Sequence, residues 1–205
     1  MHTALECNAQ HAAWDRDATT SVTDVQWKSA LSGLINIPRN SRFRLIQFYI
    51  IHRAYLTPAR VNRYFARQDA AYPRCSYMDA DMIHMLLSCT SLCCFLRVVV
   101  GCLSECTSSA VPFTWEACLL GLFPRDERHR AAARFTDLGL ITAKRLITRR
   151  WKSADPPAEQ ARIYSFGVWA GVGGVTLKRE DAMGMCKYPL SDSWEEILSY
   201  LRSMC

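Results

Sequence analysis

Residues 85–103, MLLSCTSLCCFLRVVVGCL, form the longest apolar run in the chain, and whatever fold the protein adopts must take them out of water. A run of this length can span a bilayer as a helix. Arg97 stands near its middle, however, and Ser88, Thr90 and Ser91 near one end. An arginine at a helix centre costs about 2.5–3.5 kcal/mol on insertion scales. The run is therefore expected to be a buried core helix and no membrane partner is expected. Half of the 205 residues are hydrophobic and 11% are aromatic, enough for a core of ordinary size.

Helical signals recur on both sides of this run. Thr23 and Gln26 make a capping box for a short helix carrying Trp27, Leu31 and Leu34, which Pro38 ends. In the next segment Phe43, Ile46 and Ile50 follow helical spacing, with Arg42, Arg44 and Arg53 expected to point outward. Thr57 followed by Pro58 is a helix start, since threonine caps and proline loses no needed donor at the first position. A helix is expected to restart near Asp79 or Asp81, Thr114 to cap a short apolar helix to Leu122, and Pro124 to open the longest basic helix. Strand-like alternation is nearly absent. The expected class is mostly α: an irregular helical bundle with a small Cys/His turn region.

The charge is unevenly spread. Lys+Arg number 25 against 19 Asp+Glu, giving +6, and 20 of the 25 are arginine. Residues 39–74 and 128–152 carry +14 between them, which leaves −8 for the remainder. Arginine is the better phosphate binder of the two cations, so the two blocks point to anion-facing surfaces, most often for nucleic acid. Ten cysteines in a secreted chain would suggest disulfides, but residues 1–20 are polar and lack an apolar run of signal-peptide type. A reducing, intracellular setting, nuclear or cytoplasmic, is expected.

The sharpest chemical cluster is Cys75, His84 and Cys89, with eight and four residues between them. These are zinc-type ligands. In an unbroken helix His84 and Cys89 would lie about 140° apart, so joint ligation requires a break, for which Ser88 is a candidate place. A structural zinc takes four ligands, and Tyr72 stands where a C-x-x-C pair would have its first cysteine. Zinc is thus a possible cofactor with one ligand missing; ordinary buried packing of Cys and His is the competing reading.

The succession RLIQFYIIHRAYLTPARVNRYF, PRCSYMDADMIHMLLSC, LGLFPR and ARFTDLGLITAKRLITRRWKSADPP resembles the C-terminal region of the reverse transcriptase polyprotein of LINE-type (non-LTR) retrotransposons of fish and amphibians. The resemblance covers residues 24–158 well and the final third loosely. Cys75, His84 and Cys89 match the family's Cys/His motif. Tyr72 replaces its first cysteine, and Leu87 stands where a tryptophan is usual, so the motif is degenerate. The resemblance implies a nucleic-acid-binding appendage beyond the polymerase, without catalysis of its own. Tyr77-Met78-Asp79-Ala80-Asp81 only looks like the polymerase metal motif, because its carboxylates are separated by Ala80; helix-capping is the expected role of Asp79 and Asp81. Cys75, Cys89 or Cys118 with His84 or His129 has no local signature of a nucleophile and base, and Gly171–Gly174 is no dinucleotide fingerprint.

Two arginine-bearing helices remain as binding candidates. Arg60, Arg63 and Arg67 share one face of the Thr-Pro helix. In the later basic helix Ala133, Thr136, Leu140, Ala143, Ile147 and Trp151 form an apolar stripe, with Arg134, Arg145, Arg149 and Lys152 opposite and Lys144 and Arg150 flanking. These seven cations on the two faces are expected to meet RNA or DNA phosphates with little sequence preference; an acidic protein partner is the alternative. The chain divides into a disordered or loosely packed N-terminus (1–22), a helical nucleic-acid-binding-like domain (23–152), a linker with Pro156 and Pro157 (153–160) and a C-terminal aromatic and helical segment (161–205). In the last, Ser193 and Glu196 box a terminal helix.

Overall fold

A computed structural model describes residues 4–18, 20–36, 41–65, 70–125 and 130–153. These residues form six α-helices and two π-helical turns, and no strand: α1 (Ala4–Asp17), α2 (Asp24–Asn36), α3 (Ser41–Ile51), α4 (Pro58–Tyr64), a first π-turn (His84–Ser88), α5 (Thr90–Thr107), a second π-turn (Glu116–Leu120) and α6 (Arg130–Thr148). The class is mostly α. Most of the 153–160 linker, the Gly171–Gly174 loop, the terminal helix and Arg67 fall outside the described residues.

The core is built around α5 and α6. Leu92, Phe95, Leu96, Val99 and Leu103 recur on one side of α5 and are buried, while Arg97 and Val98 face solvent and the Arg97 guanidinium lies 4.7 Å from the centre of the Phe113 ring. The arginine that argued against a membrane span thus sits on the solvent side of a core helix. Among the described residues no helix is long and apolar enough to cross a membrane. Helix α6 packs on α5 and also on α3, which in turn carries α2 and the second π-turn.

Local chemistry accounts for several boundaries. Gln26 N–H donates to Thr23 Oγ1 (3.3 Å) and Thr23 N–H to Gln26 Oε1 (2.9 Å), the reciprocal capping box that opens α2. Thr57 Oγ1 accepts from Arg60 N–H at 3.3 Å and Pro58 follows it. Thr114 caps as well, accepting from Ala117 N–H at 3.3 Å, but the turn it opens is π-helical and stops at Gly121, whose φ of 75° suits glycine. The basic helix begins later than Pro124: Arg125 is instead clamped by paired 2.8 Å bonds to Asp137 and donates to the Gly121 carbonyl.

The N-terminus corrects the expectation of a loose segment over 1–22. Residues 4–17 are helical, and Trp14 is fully buried, donating from Nε1 to the Ile51 carbonyl (3.0 Å) and stacking on Trp115 at 5.3 Å. Arg53, expected to point outward, turns back onto this helix instead. It donates to Ala13 O (2.7 Å), pairs with Asp17 and lies over the Trp14 ring. A single tryptophan on an otherwise weakly amphipathic segment carries little periodic signal, yet burying it contributes several kcal/mol.

Gly139 of α6 lies against Leu103 of α5: a Cβ added there would lie 2.5 Å from Leu103 Cδ2. Leu103 is itself buried, so it can give way only by displacing its core neighbours. Gly139→Val is therefore expected to destabilise the fold by about 1–3 kcal/mol through overpacking. Gly101→Ala, on α5 with open space around its would-be Cβ, should stabilise by up to ~1 kcal/mol through helix propensity. Urea melts of both variants against the parent check the pair; a neutral Gly139→Val would mean that α5 and α6 are not held so close.

Candidate functional site

The Cys/His cluster is assembled by two short local structures. The first is a tight turn at 72–76: Tyr72 O accepts from Cys75 N–H (3.2 Å) and Ser76 N–H (2.7 Å), and Ser76 closes it at a left-handed φ of 58°. The second is the first π-turn. Asp81 Oδ1 caps it by accepting from His84 N–H at 2.7 Å, and Cys89 N–H donates to His84 O at 2.9 Å, a bond spanning five residues. Such a wide turn brings residues five apart toward one face, where an α-helix would separate them. The chain then breaks at Cys89 (ψ 126°), one residue after Ser88, before α5 begins.

The outcome is that Cys75 Sγ lies 3.2 Å from His84 Nε2, and one donor atom each from Cys75, His84 and Cys89 fall within 4.8 Å of one another. Ligands of a tetrahedral zinc sit roughly 3.5–3.8 Å apart, so three donors stand at distances a small closure would satisfy. Burial lowers the His84 pKa and raises that of the Cys89 thiol. Burial thus favours the neutral imidazole that a metal ligand must be, and a metal would replace the Cys89 proton. Tyr72 supplies no fourth thiolate. It is fully buried edge-on to His84 at 5.9 Å, its hydroxyl accepts from Arg74 and donates to Met85 O at 3.4 Å, and burial holds its pKa up at about 12. The group can hold a metal with three protein donors, leaving one position for another ligand. Asp81 is committed to its cap, and Asp79 is exposed.

The structure places six of the seven expected phosphate-binding residues, Arg67 lying outside the described ones. Arg149 and Lys152 are exposed at the end of α6, together with Arg150, and Arg63 is exposed on α4. Arg134 is half-buried. Arg60 is half-buried and its guanidinium donates to Arg53 O. Arg145 does not belong to the solvent face: it is 8% exposed and lies over the Phe43 ring at 5.4 Å. The reason is that α6 is enclosed on both sides of its stripe by α3 and α5, so residues 138–145 are buried whichever way they point.

Two features escaped the sequence. Arg16, His52 and Arg53 converge with Arg60, Arg63 and Tyr64 on a cavity of about 230 Å³ between α1, the end of α3 and α4; residues 16 and 63 are too far apart in the chain for any local pattern to join them. The other is Lys144, expected beside the stripe but 4% exposed. Its ammonium donates to Gln47 Oε1 (2.6 Å) and Leu119 O (3.2 Å), while Gln47 Nε2 donates to the same carbonyl at 2.8 Å. Burial pushes its pKa down to about 8, partly opposed by Cys118 and Asp137.

No protein-family model matches the chain, and no curated protein matches it.

Two outcomes follow from these geometries. Tyr72→Cys should lower the melting temperature of the metal-free protein, because it empties a buried aromatic site at a cost of about 3–5 kcal/mol. It should also make zinc strongly stabilising, because a fourth thiolate completes the shell. Thermal melts with zinc and with chelator check this; equal, tight, stoichiometric zinc binding by both proteins would mean that another residue already completes the site.

For Lys144, the unfolded amine (10.5) keeps its proton where the native one (about 8) has lost it, so the native state binds fewer protons and stability rises with pH from about 8. The Cys118 thiol, held up at about 11 by burial against 9.0 unfolded, acts oppositely from pH 9. Between pH 8 and 9 the parent should therefore gain about 1 kcal/mol relative to Lys144→Met. Parallel urea melts at the two pH values read that difference, and parallel slopes would overturn it.

Proposed function

We infer that this chain is a non-catalytic helical unit that holds RNA or DNA by its phosphate backbone, similar to the region that follows the polymerase in LINE-type reverse transcriptases. The observation that carries the reading is the basic end of α6. Arg149, Arg150 and Lys152 stand in solvent there; burial lowers the Arg145 pKa, and the charges of Arg149 and Arg42 lower it further. Folding has gathered like charges at one end of a helix. Such crowding costs stability, and a polyanion relieves it.

Backbone contacts position a nucleic acid without reading it, so the expected preference for sequence is weak. The cap made by Asp81 supports a non-catalytic role for the YMDAD segment, since that carboxylate is engaged with the His84 backbone N–H. The setting that goes with this reading is intracellular, nuclear or cytoplasmic. Metal at Cys75, His84 and Cys89 would tie the turn at 72–76 to the start of α5 and serve structure rather than chemistry.

A second reading, a protein-interaction fragment, is favoured by one observation: Tyr64, Phe65, Tyr77 and Met78 are large apolar side chains left exposed. Salt titration separates the two. Affinity for single-stranded RNA should fall steeply with salt, with a log-log slope near −0.7 per phosphate contact. The double variant Arg149→Gln, Lys152→Gln should flatten that slope by about 1.4 and keep or slightly raise the melting temperature, because it relieves the like-charge crowding. Arg145→Gln should instead lower stability, because its guanidinium packs on Phe43. An unchanged slope in the double variant, or no RNA binding by the folded parent at low salt, would reject the nucleic-acid reading in favour of the interaction one.

A further inference from the structure

The cavity between α1, the end of α3 and α4 is built for an anion and is distinct from the end of α6. Its wall includes Arg16, His52, Arg53, Arg60, Arg63 and Tyr64. At about 230 Å³ it is smaller than the 300–1,000 Å³ typical of pockets for drug-sized ligands, and charged side chains rather than apolar ones dominate its lining. Two of its arginines are fixed in place. Arg53 adopts a left-handed backbone (φ 52°) and is held by Ala13 O and Asp17 over the Trp14 ring. Arg60 donates to the Arg53 carbonyl. The other two, Arg16 and Arg63, are exposed at the mouth and pair with no described residue.

Two acids also line it. Asp17 is taken by Arg53, and Asp81 accepts from His84 N–H with its pKa raised first by burial. Four guanidinium groups against two engaged carboxylates leave the cavity cationic. Tyr64 at its edge is 66% exposed, an aromatic face next to two uncommitted arginines. Cations that take phosphates beside a ring that takes a base form the arrangement used for single strands. A duplex, whose bases are stacked internally, offers the ring nothing.

We propose that this cavity seats a phosphate of single-stranded nucleic acid between Arg16 and Arg63 while the adjoining base stacks on Tyr64. The proposal rests on the nucleic-acid reading above and adds to it a strandedness and a site that the end of α6 does not supply. Phosphate chemistry is shared with free mononucleotides, so the probes must include one.

The test measures affinity of the full chain for a 12-nucleotide single-stranded RNA, for an RNA duplex with the same number of phosphates, and for AMP. The variants are Tyr64→Ala, Tyr64→Phe and the pair Arg16→Gln, Arg63→Gln. All alter exposed side chains, and unchanged circular-dichroism melts confirm the fold. Tyr64→Ala should lose about tenfold on the single strand and less than twofold on the duplex, and Tyr64→Phe should retain parental affinity. The arginine pair should flatten the single-strand salt slope by about 1.4.

Parental RNA binding by all these variants, with the α6 variant still impaired, would overturn the cavity proposal alone and leave the nucleic-acid reading standing. Equal losses on single strand and duplex would overturn the stacking role of Tyr64 and with it the proposal. AMP binding tighter than RNA would make the cavity a small-molecule site. No RNA binding by the folded parent would end both readings together.

Discussion

The ammonium of Lys144 is enclosed by protein and answered by two neutral oxygens, Gln47 Oε1 and Leu119 O. Placing a cation in such a position costs several kcal/mol unless it sheds its proton, and the depressed pKa shows that the site goes part of the way. In return the three partners lie on α6, α3 and the second π-turn, and one polar node fixes how these elements meet. A buried polar group of this kind tolerates only one register, because sliding α6 by a residue would leave the amine unanswered. With α5 closing the opposite side through the Gly139 approach, α6 is held in the core along most of its length. Among its described cations Arg134 stays half-buried, Lys144 and Arg145 are buried, and the exposed ones, Arg149, Arg150 and Lys152, follow Thr148, which gathers the basic surface at the helix end.

How much of this was legible in the sequence depends on how local each signal is. Caps are local: Thr23 with Gln26, and Thr57 with Pro58, act within one turn of backbone and sit where residue chemistry puts them. The core role of 85–103 was legible for a similar reason, since a long apolar run with one arginine has few destinations. The register of side chains on α6 was only half legible. A helical wheel assigns one apolar face, but the number of faces that are covered depends on how many neighbours surround the helix. Arg145 and Lys144 lie on faces that a two-layer arrangement would leave open and that α3 and the second π-turn cover. Helix α1 was missed because the one fully buried side chain among its described ones, Trp14, finds its partners Ile51 and Trp115 far along the chain, where no local pattern reaches.

The Cys/His region divides along the same line. Spacing named its three residues and required a break near Ser88. What spacing could not supply is the π-turn, because the five-residue bond from Cys89 to His84 has no sequence signature of its own. The structure also shows what takes the missing thiolate's place. Tyr72 fills the volume beside His84 with an aromatic ring and holds the turn through its carbonyl bonds to residues 75 and 76, so the turn is packed without a metal.

Arg74 connects this region to the basic end of α6. One end of its guanidinium donates to the Tyr72 hydroxyl and the other to the Arg150 carbonyl, and the side chain is nearly buried between them. The same α6 terminus is held from another side by Trp151, whose Nε1 donates to Leu56 O at 3.1 Å and whose ring lies 4.7 Å from Tyr55. Leu56 immediately precedes the Thr57 cap of α4. The carbonyl of Arg150 and the indole of Trp151 are thus the points where the Cys/His turn, the segment leading into α4 and the exposed cations after α6 are joined, the first through the buried and half-buried bonds of Arg74 and the second through an exposed bond to Leu56. The Cys/His cluster and the basic end of α6 are linked by the two hydrogen bonds of one buried arginine.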